Sequence, residues 1–186
     1  MAIRIHIDAH QFDRLGNLIG AAGKKAPHAL RRAINHTGDK ARTQVRKVLV
    51  KQTGLKYRTI VKAVRSTRSS YKSGSYVLKA AGGDIRLRFF GPRETRKGVS
   101  AAPWNRRQVF PGSFMKGGRF PKRVPLKSGK AVFRRTGKSR FPVKEVRSGL
   151  FIGEEMISGA SEQAFFDTAQ RELPPRVAHE LYRVLG

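Results

Sequence analysis

The residues with the clearest capacity for chemistry are cations. Between residues 93 and 140 stand Arg93, Arg96, Lys97, Arg106, Arg107, Lys116, Arg119, Lys122, Arg123, Lys127, Lys130, Arg134, Arg135, Lys138 and Arg140, against a single acid, Glu94. Guanidinium and ammonium groups at this density are suited to phosphate, which they bind through charge-assisted hydrogen bonds. A solvated surface normally mixes both signs of charge. Here the whole span from Lys40 to Lys144 holds only Asp84 and Glu94 as acids. Zinc-finger spacing, an aromatic RNP-type motif and a clear recognition helix are all missing, so phosphate contact without base reading is expected.

Other constellations carry less. His6 and His10 stand near one another, but the five histidines (with His28, His36 and His179) follow no H-E-x-x-H spacing, and no metal site is expected. Glu154 and Glu155 are adjacent, so on a helix they point apart and read as acids favoured at a helix start. Thr136-Gly137-Lys138-Ser139 imitates the end of a phosphate-binding P-loop, yet Val132 occupies the place of the required first glycine. Asp84 and Glu94 alone are a thin basis for a nuclease. We therefore expect no enzymatic activity, no cofactor and no catalytic residues. The Asn35-His36-Thr37 sequon lies inside an expected helix and is not read as a glycosylation site.

The phosphate-seeking stretch must be held by the rest of the chain. Its glycines and prolines (Gly98, Pro103, Pro111, Gly112, Gly117, Gly118, Pro121, Pro125, Gly129, Gly137) forbid a long helix. Its large apolar residues, among them Trp104, Val109, Phe110, Phe114, Met115, Phe120, Val132, Phe133 and Phe141, are foreign to a disordered tail. An extended arm with aromatic anchors is the expectation. The chain has 186 residues, a net charge of +28 and 39% hydrophobic residues, below the globular average of about 45–50%. One domain carrying an arm fits these figures, and the charge calls for an anionic partner or an assembly that offsets it. Cysteine is absent, so disulfides and thiolate metal sites are excluded. The N-terminus shows no secretory h-region, and no apolar run approaches the ~18 residues of a membrane span. Six of the twelve acids lie after residue 153, so the basic body ends in a segment of more balanced charge.

Alternating Ile3, Ile5 and Ile7 predict a first strand. A helix over residues 12–22 follows and ends at Gly23. Leu30, Ala33, Ile34, Ala41, Val45, Val48 and Leu49 predict a long helix over residues 27–52, started by Pro27, loosened at Gly38 and broken by Thr53-Gly54. A shorter helix over 56–66, a Ser-rich linker over 66–75 and a hairpin of 76–80 with 85–90 are expected next. Residues 131–135 and 143–146 read as two strands around Thr136-Gly137. Met156 to Leu173 give a helix that Pro174-Pro175 break, before a last amphipathic helix.

Three blocks, Phe110-Pro-Gly-Ser-Phe-Met, Val132-Phe-Arg-Arg and Arg140-Phe-Pro-Val-Lys-Glu-Val, resemble the minor tail protein Z family of lambdoid tailed phages. The closing stretch Arg171-Glu-Leu-Pro-Pro-Arg-Val-Ala-His-Glu-Leu-Tyr-Arg-Val-Leu is similar to that family's last helix. Ala33-Ile34-Asn35 and Thr53-Gly54-Leu55 are similar to its N-terminal pattern. The resemblance implies a structural virion protein of the neck, a tail-completion protein at the head-proximal end of a tail, assembled in the host cytoplasm. It implies a homo-oligomeric ring, six-fold by analogy with phage tails, in contact with tail-terminator, tail-tube and head-completion proteins and with genome DNA, and no membrane partner. A non-phage nucleic-acid-binding protein of the ribosomal type is the alternative reading.

Together these readings predict an α+β fold: a long N-terminal helix packed on a small, mainly antiparallel sheet, a long basic arm and a C-terminal helical segment. The divisions are residues 1–91 (strand, helices and hairpin), 92–140 (basic arm) and 141–186 (last strand and helices). Candidate nucleic-acid contacts are Arg93, Arg96, Lys97, Arg106, Arg107, Lys116, Arg119, Lys122, Arg123, Arg134, Arg135 and Lys138. Candidate subunit contacts are Trp104, Phe110, Phe114, Phe120, Phe165, Leu181 and Tyr182.

Overall fold

The computed structural model describes residues 1–6, 15–71, 73–119, 121–126 and 129–186, with the side chains of Ile5 and His6 left aside. The fold is α+β, with a long N-terminal helix, small antiparallel sheets and a C-terminal helix. Its centre is the helix α2 (Ala26–Thr53), preceded by α1 (Gly16–Ala22) and a 3-10 turn at Gly23–Lys25. Pro27 stands in the first turn of α2, where its missing N–H costs nothing. Gly54 closes α2 in the left-handed region (φ 75°), donating its N–H to Val50 O at 3.0 Å. The expected strand at residues 3–7 is β1 (Ala2–His6). Ile7, Phe12 and His10 lie outside the described residues.

The buried stripe of α2 runs through Ala29, Ala33, Ala41, Val45 and Leu49. Alanine at three of these positions lets a partner helix come close, since interaxial distance follows side-chain size. That partner is α5 (Gly159–Leu185), which buries Phe165, Ala169, Leu173, Val177 and Leu181 at four-residue spacing. Cross-links between Arg32 and Glu180, Lys40 and Glu172, and Gln52 and Ser161 fix the two helices as antiparallel. Each fully buried Leu, Val or Phe in this seam contributes on the order of 1.5–3 kcal/mol. The short helices α3 (Tyr57–Ala63) and α4 (Ile152–Met156) pack at the C-terminal end of α2.

A three-stranded antiparallel sheet, ordered β1-β3-β2, lies against α2. Its central strand β3 (Ser75–Ala80) buries four successive residues, and β2 (Val64–Thr67) forms the other edge. The register runs Ile3↔Leu78 and Ser66↔Leu78. Gly38 does not loosen α2. It is buried where the Tyr76 ring of β3 crosses the helix, and a Cβ there would sit 2.3 Å from Tyr76 Cγ. A glycine in mid-helix is explained by this close approach.

Four expectations change. Residues 85–90 do not return along β3, because both edges of β3 are occupied by β1 and β2. Ile85 and Leu87 instead donate their N–H groups to Leu150 O and Val146 O, and the chain then turns through a 3-10 segment at Leu87–Phe90. The helix expected over 56–66 stops at Ala63, and Val64 begins β2. The helix from Met156 is interrupted: Met156 ends α4, and Gly159, at φ +59°, starts α5. Pro174 and Pro175 do not break α5. Both rings are exposed, and the carbonyls they leave without donors belong to Gln170 and Arg171, two exposed residues whose carbonyls water can reach. Among the described residues no helix is long and apolar enough to cross a membrane.

Candidate nucleic-acid interface

The basic arm is built from short antiparallel ribbons. One sheet joins β4 (Arg93–Thr95), β5 (Gly98–Ala101) and β6 (Gln108–Pro111). A second joins β7 (Ser113–Phe114), β10 (Phe133–Arg135) and β11 (Val143–Glu145), and a third pairs β8 (Lys116–Gly117) with β9 (Val124–Pro125). The β10–β11 pairing is the one expected around Thr136-Gly137. Glycine at 98 is required by geometry: φ is +150°, and a Cβ would lie 2.3 Å from Phe110 O across the ribbon. The Ser113 hydroxyl joins two sheets, accepting from Val99 N–H at 3.0 Å and donating to Phe110 O at 2.6 Å.

The root of the arm is latched to the helical body. Trp104 and Asn105 both hold positive φ (52° and 57°), a rare state for a bulky residue. Their side chains repay it locally: Trp104 Nε1–H donates to Glu155 Oε1 at 2.7 Å, and Asn105 Nδ2–H to Lys51 O at 2.6 Å. Gln52 also donates to Glu155, at 2.6 Å. Glu155 is thus a structural acceptor, and the polar edge of the Trp104 indole is committed within its own chain while the ring stays 37% exposed.

The cations of α2 and of the arm differ in their partners. Five of those on α2 are engaged inside the fold, while Lys47 and Lys51 of the same helix are exposed. Arg32 donates to Glu180 and Lys40 to Glu172, both at 2.6 Å. Arg42 reaches Asp39 at 3.2 Å and Ser66 Oγ at 2.8 Å, Arg46 donates to Val64 O at 2.5 Å, and Arg31 lies over the Tyr71 ring at 4.5 Å. Burial pushes the Glu180 carboxyl up, but hydrogen bonding from Arg32 and the charges of Arg176 and Arg32 outweigh it and hold the group below the usual carboxylate range. Asp39 behaves alike: burial raises it, and bonds from Arg68 and Tyr76 with the charge of Arg42 bring it lower.

The arm cations differ. Arg93, Arg96, Lys97, Arg106, Arg107, Lys116, Arg119, Lys122, Arg134, Arg135 and Lys138 are all exposed. Only Arg123 among the candidates is half-buried, in an ion pair with Glu94. Arg107 additionally ties β6 back to Ser100 O at 3.3 Å. No other candidate has an acid within ion-pair distance among the described residues. Asp84, the remaining acid of the basic span, accepts from Gly149 N–H at 2.7 Å, and Glu94 pairs with Arg123. Among the described residues no three His, Asp or Glu gather as a metal site would need.

The three sheets of the arm surround a hollow of about 270 Å³. Arg96 and Lys97 enter from the β4–β5 turn, Lys116 from β8, Arg123 from the start of β9 and Arg135 from β10, with Phe114 in the wall. The Arg135 guanidinium lies 5.8 Å from the centre of the Phe114 ring, a cation–π distance. Sequence reasoning placed these cations among many but had no signal that these would converge, because they are drawn from separate ribbons.

The candidate subunit contacts divide. Phe165 and Leu181 are corrected: both are wholly buried between α2 and α5 and hold the fold together. Phe110 and Phe114 are half-buried inside the arm, Phe120 lies outside the described residues, and Tyr182 is 62% exposed. The exposed aromatic beside Phe165 is Phe166, at 44%. The four-residue series 165-169-173-177-181 was the signal that Phe165 points inward. No family model, no curated protein and no solved structure matches this chain.

Proposed function

We propose that the chain is a structural protein that binds nucleic-acid phosphate through its basic arm, without enzymatic activity, as a minor tail or tail-completion component of a phage neck. The observation that carries the reading is the split between engaged and open cations. Five α2 cations have partners within the fold (Arg32 and Lys40 on acids of α5, Arg46 on a β2 carbonyl, Arg42 on Asp39 and Ser66, Arg31 on the Tyr71 ring), leaving Lys47 and Lys51 exposed, whereas the arm exposes eleven candidate cations and its only acid is taken by Arg123. A folded surface of one sign suits a sequence-blind partner that carries one charge per phosphate. The placement at a phage neck is supported by the resemblance of residues 110–115, 132–135, 140–146 and 171–185. In that setting a ring of such arms would line a channel through which any part of a genome must pass.

The test is the salt dependence of duplex binding. For Z neutralised phosphates, log K against log salt has a slope of about −0.9Z. Charge reversal at Arg134 and Arg135, both exposed on β10, is expected to flatten it by about 1.8 without lowering the thermal midpoint. An unchanged slope would remove these two residues from the interface. The phage placement is checked by light scattering of nuclease-treated protein at high salt. A closed ring of definite subunit number is expected, and a monomer whose untreated preparation carries host RNA would favour the ribosomal-type alternative.

A further inference from the structure

The hollow of the arm differs from its other basic concavity, beside Arg134 and Lys144, in that an acid, Glu145, lines the latter. Exposed cations on a convex surface each meet their own phosphate. Here Arg96, Lys97, Lys116 and Arg135 come from three ribbons to one concavity, and none has an acid partner among the described residues. Concave walls of protein concentrate the field of the charges that line them. The fifth cation, Arg123, is partly neutralised by Glu94, which lies only 9% exposed, so that pair serves as a fixed wall.

Size and rim narrow the ligand. At about 270 Å³ the hollow lies at the small end of the ~300–1,000 Å³ range of sites that enclose a whole small molecule. That suits an oxyanion with part of its hydration. Two rim residues, Gly112 (φ +67°) and Gly118 (φ +92°), carry no side chain, and nothing lies within 4 Å of where a Cβ of Gly112 would be. A polymer backbone can therefore approach closely at the lip. Arg135, steadied by Phe114, offers the planar donor fork that phosphate oxygens accept.

Building on the reading of the arm as a phosphate-binding surface, we infer that this hollow seats one phosphate group of a nucleic-acid strand, held jointly by Arg96, Lys116 and Arg135. The three cations then count as one contact. This separates the seat from ordinary surface charge, because the salt slope counts phosphates neutralised and not cations present.

The experiment compares Arg96→Ala, Lys116→Ala, Arg135→Ala and the triple variant of the full chain on a short blunt duplex across a salt series. All three side chains are exposed, so an unchanged thermal midpoint confirms folding. A joint seat predicts that the triple variant loses about 0.9 of slope. It also predicts that no single variant exceeds that loss. A loss near 2.7, additive over the three, would overturn the seat and leave the arm as a general phosphate surface. A control pair, Arg106→Ala with Arg119→Ala, separates the two levels: if only the control flattens the slope, the seat falls alone, and if neither does, the nucleic-acid reading falls with it. Comparing duplexes ending in 5′-phosphate and 5′-hydroxyl assigns the ligand. A loss confined to phosphorylated ends marks a terminal monoester, and an equal loss on both marks a backbone diester. If the triple variant binds duplex normally but loses binding to polyglutamate, the hollow serves an acidic protein and the proposal is wrong.

Discussion

Replacing Arg32 and Arg176 together by alanine should cost the fold about 3–5 kcal/mol at neutral pH, the range expected when a buried charge loses its partners. The Glu180 side chain is 1% exposed, and its two oxygens are taken by Arg32 at 2.6 Å and by Arg176 one turn back on α5. Either arginine alone still leaves one charge-assisted bond, so each single variant should cost less, about 1.5–3 kcal/mol. Removing the acid is milder. In Glu180→Leu the arginines, 40% and 29% exposed, can turn to water, and an apolar side chain fits the seam beside Leu181 and Val177. If Glu180→Leu proves costlier than the double arginine variant, the stranded carboxylate is not the source of the loss.

The pH dependence supplies a sign test. In the native protein the Glu180 carboxyl sits below its ordinary value, so its contribution is present above the ordinary glutamate pKa of about 4.3 and is lost as pH falls through the lower folded value. With both arginines gone, burial acts alone and raises the folded pKa above 4.3. The folded state then holds its proton longer than the unfolded chain does. The variant's own stability should fall as pH rises from about 4.3 through that raised value, while the gap to the native protein opens earlier, from the lowered native value upward. Urea titrations at several pH values and one ionic strength would show a stability gap widening upward from acid.

The helical frame was readable in the sequence because its signal is local. Ala29, Ala33, Ala41, Val45 and Leu49 lie on one face by spacing alone, and Pro27 and Gly54 mark the ends by backbone chemistry. The β10–β11 ribbon was legible for the same reason, since its partners are joined by the short turn at Thr136-Gly137. What failed depended on partners distant in the chain. Alternation through Ile85, Leu87 and Phe89 marks a segment that can extend, but it does not say that β1 has already taken the free edge of β3. Pro174-Pro175 break an isolated helix, yet here α5 is held by its seam with α2, and the unpaired carbonyls face solvent. The cations of the arm were all visible, whereas the hollow that gathers some of them exists only after β4–β5, β8 and β10 meet.

Gly38→Ala should destabilise the protein by about 1–3 kcal/mol, the usual cost of forcing an extra methyl into a packed core. Propensity alone predicts the reverse, because alanine in a helix interior is favoured over glycine by roughly 0.5–1 kcal/mol. The contact decides which effect wins. The new Cβ would lie 2.3, 2.4 and 2.6 Å from Cγ, Cδ2 and Cδ1 of Tyr76, whose ring is fully buried. Nor can the ring withdraw: its backbone is central in the sheet, and its hydroxyl donates to Asp39 at 2.9 Å. Burial pushes the Tyr76 phenol up, so it keeps its proton and this tether at neutral pH. A double-variant cycle separates the two effects. In a Tyr76→Val background, where a β-branched side chain still suits the strand and leaves space over the helix, Gly38→Ala should become neutral or stabilising. If alanine costs the same in both backgrounds, the close approach of β3 to α2 is not what requires glycine at this position.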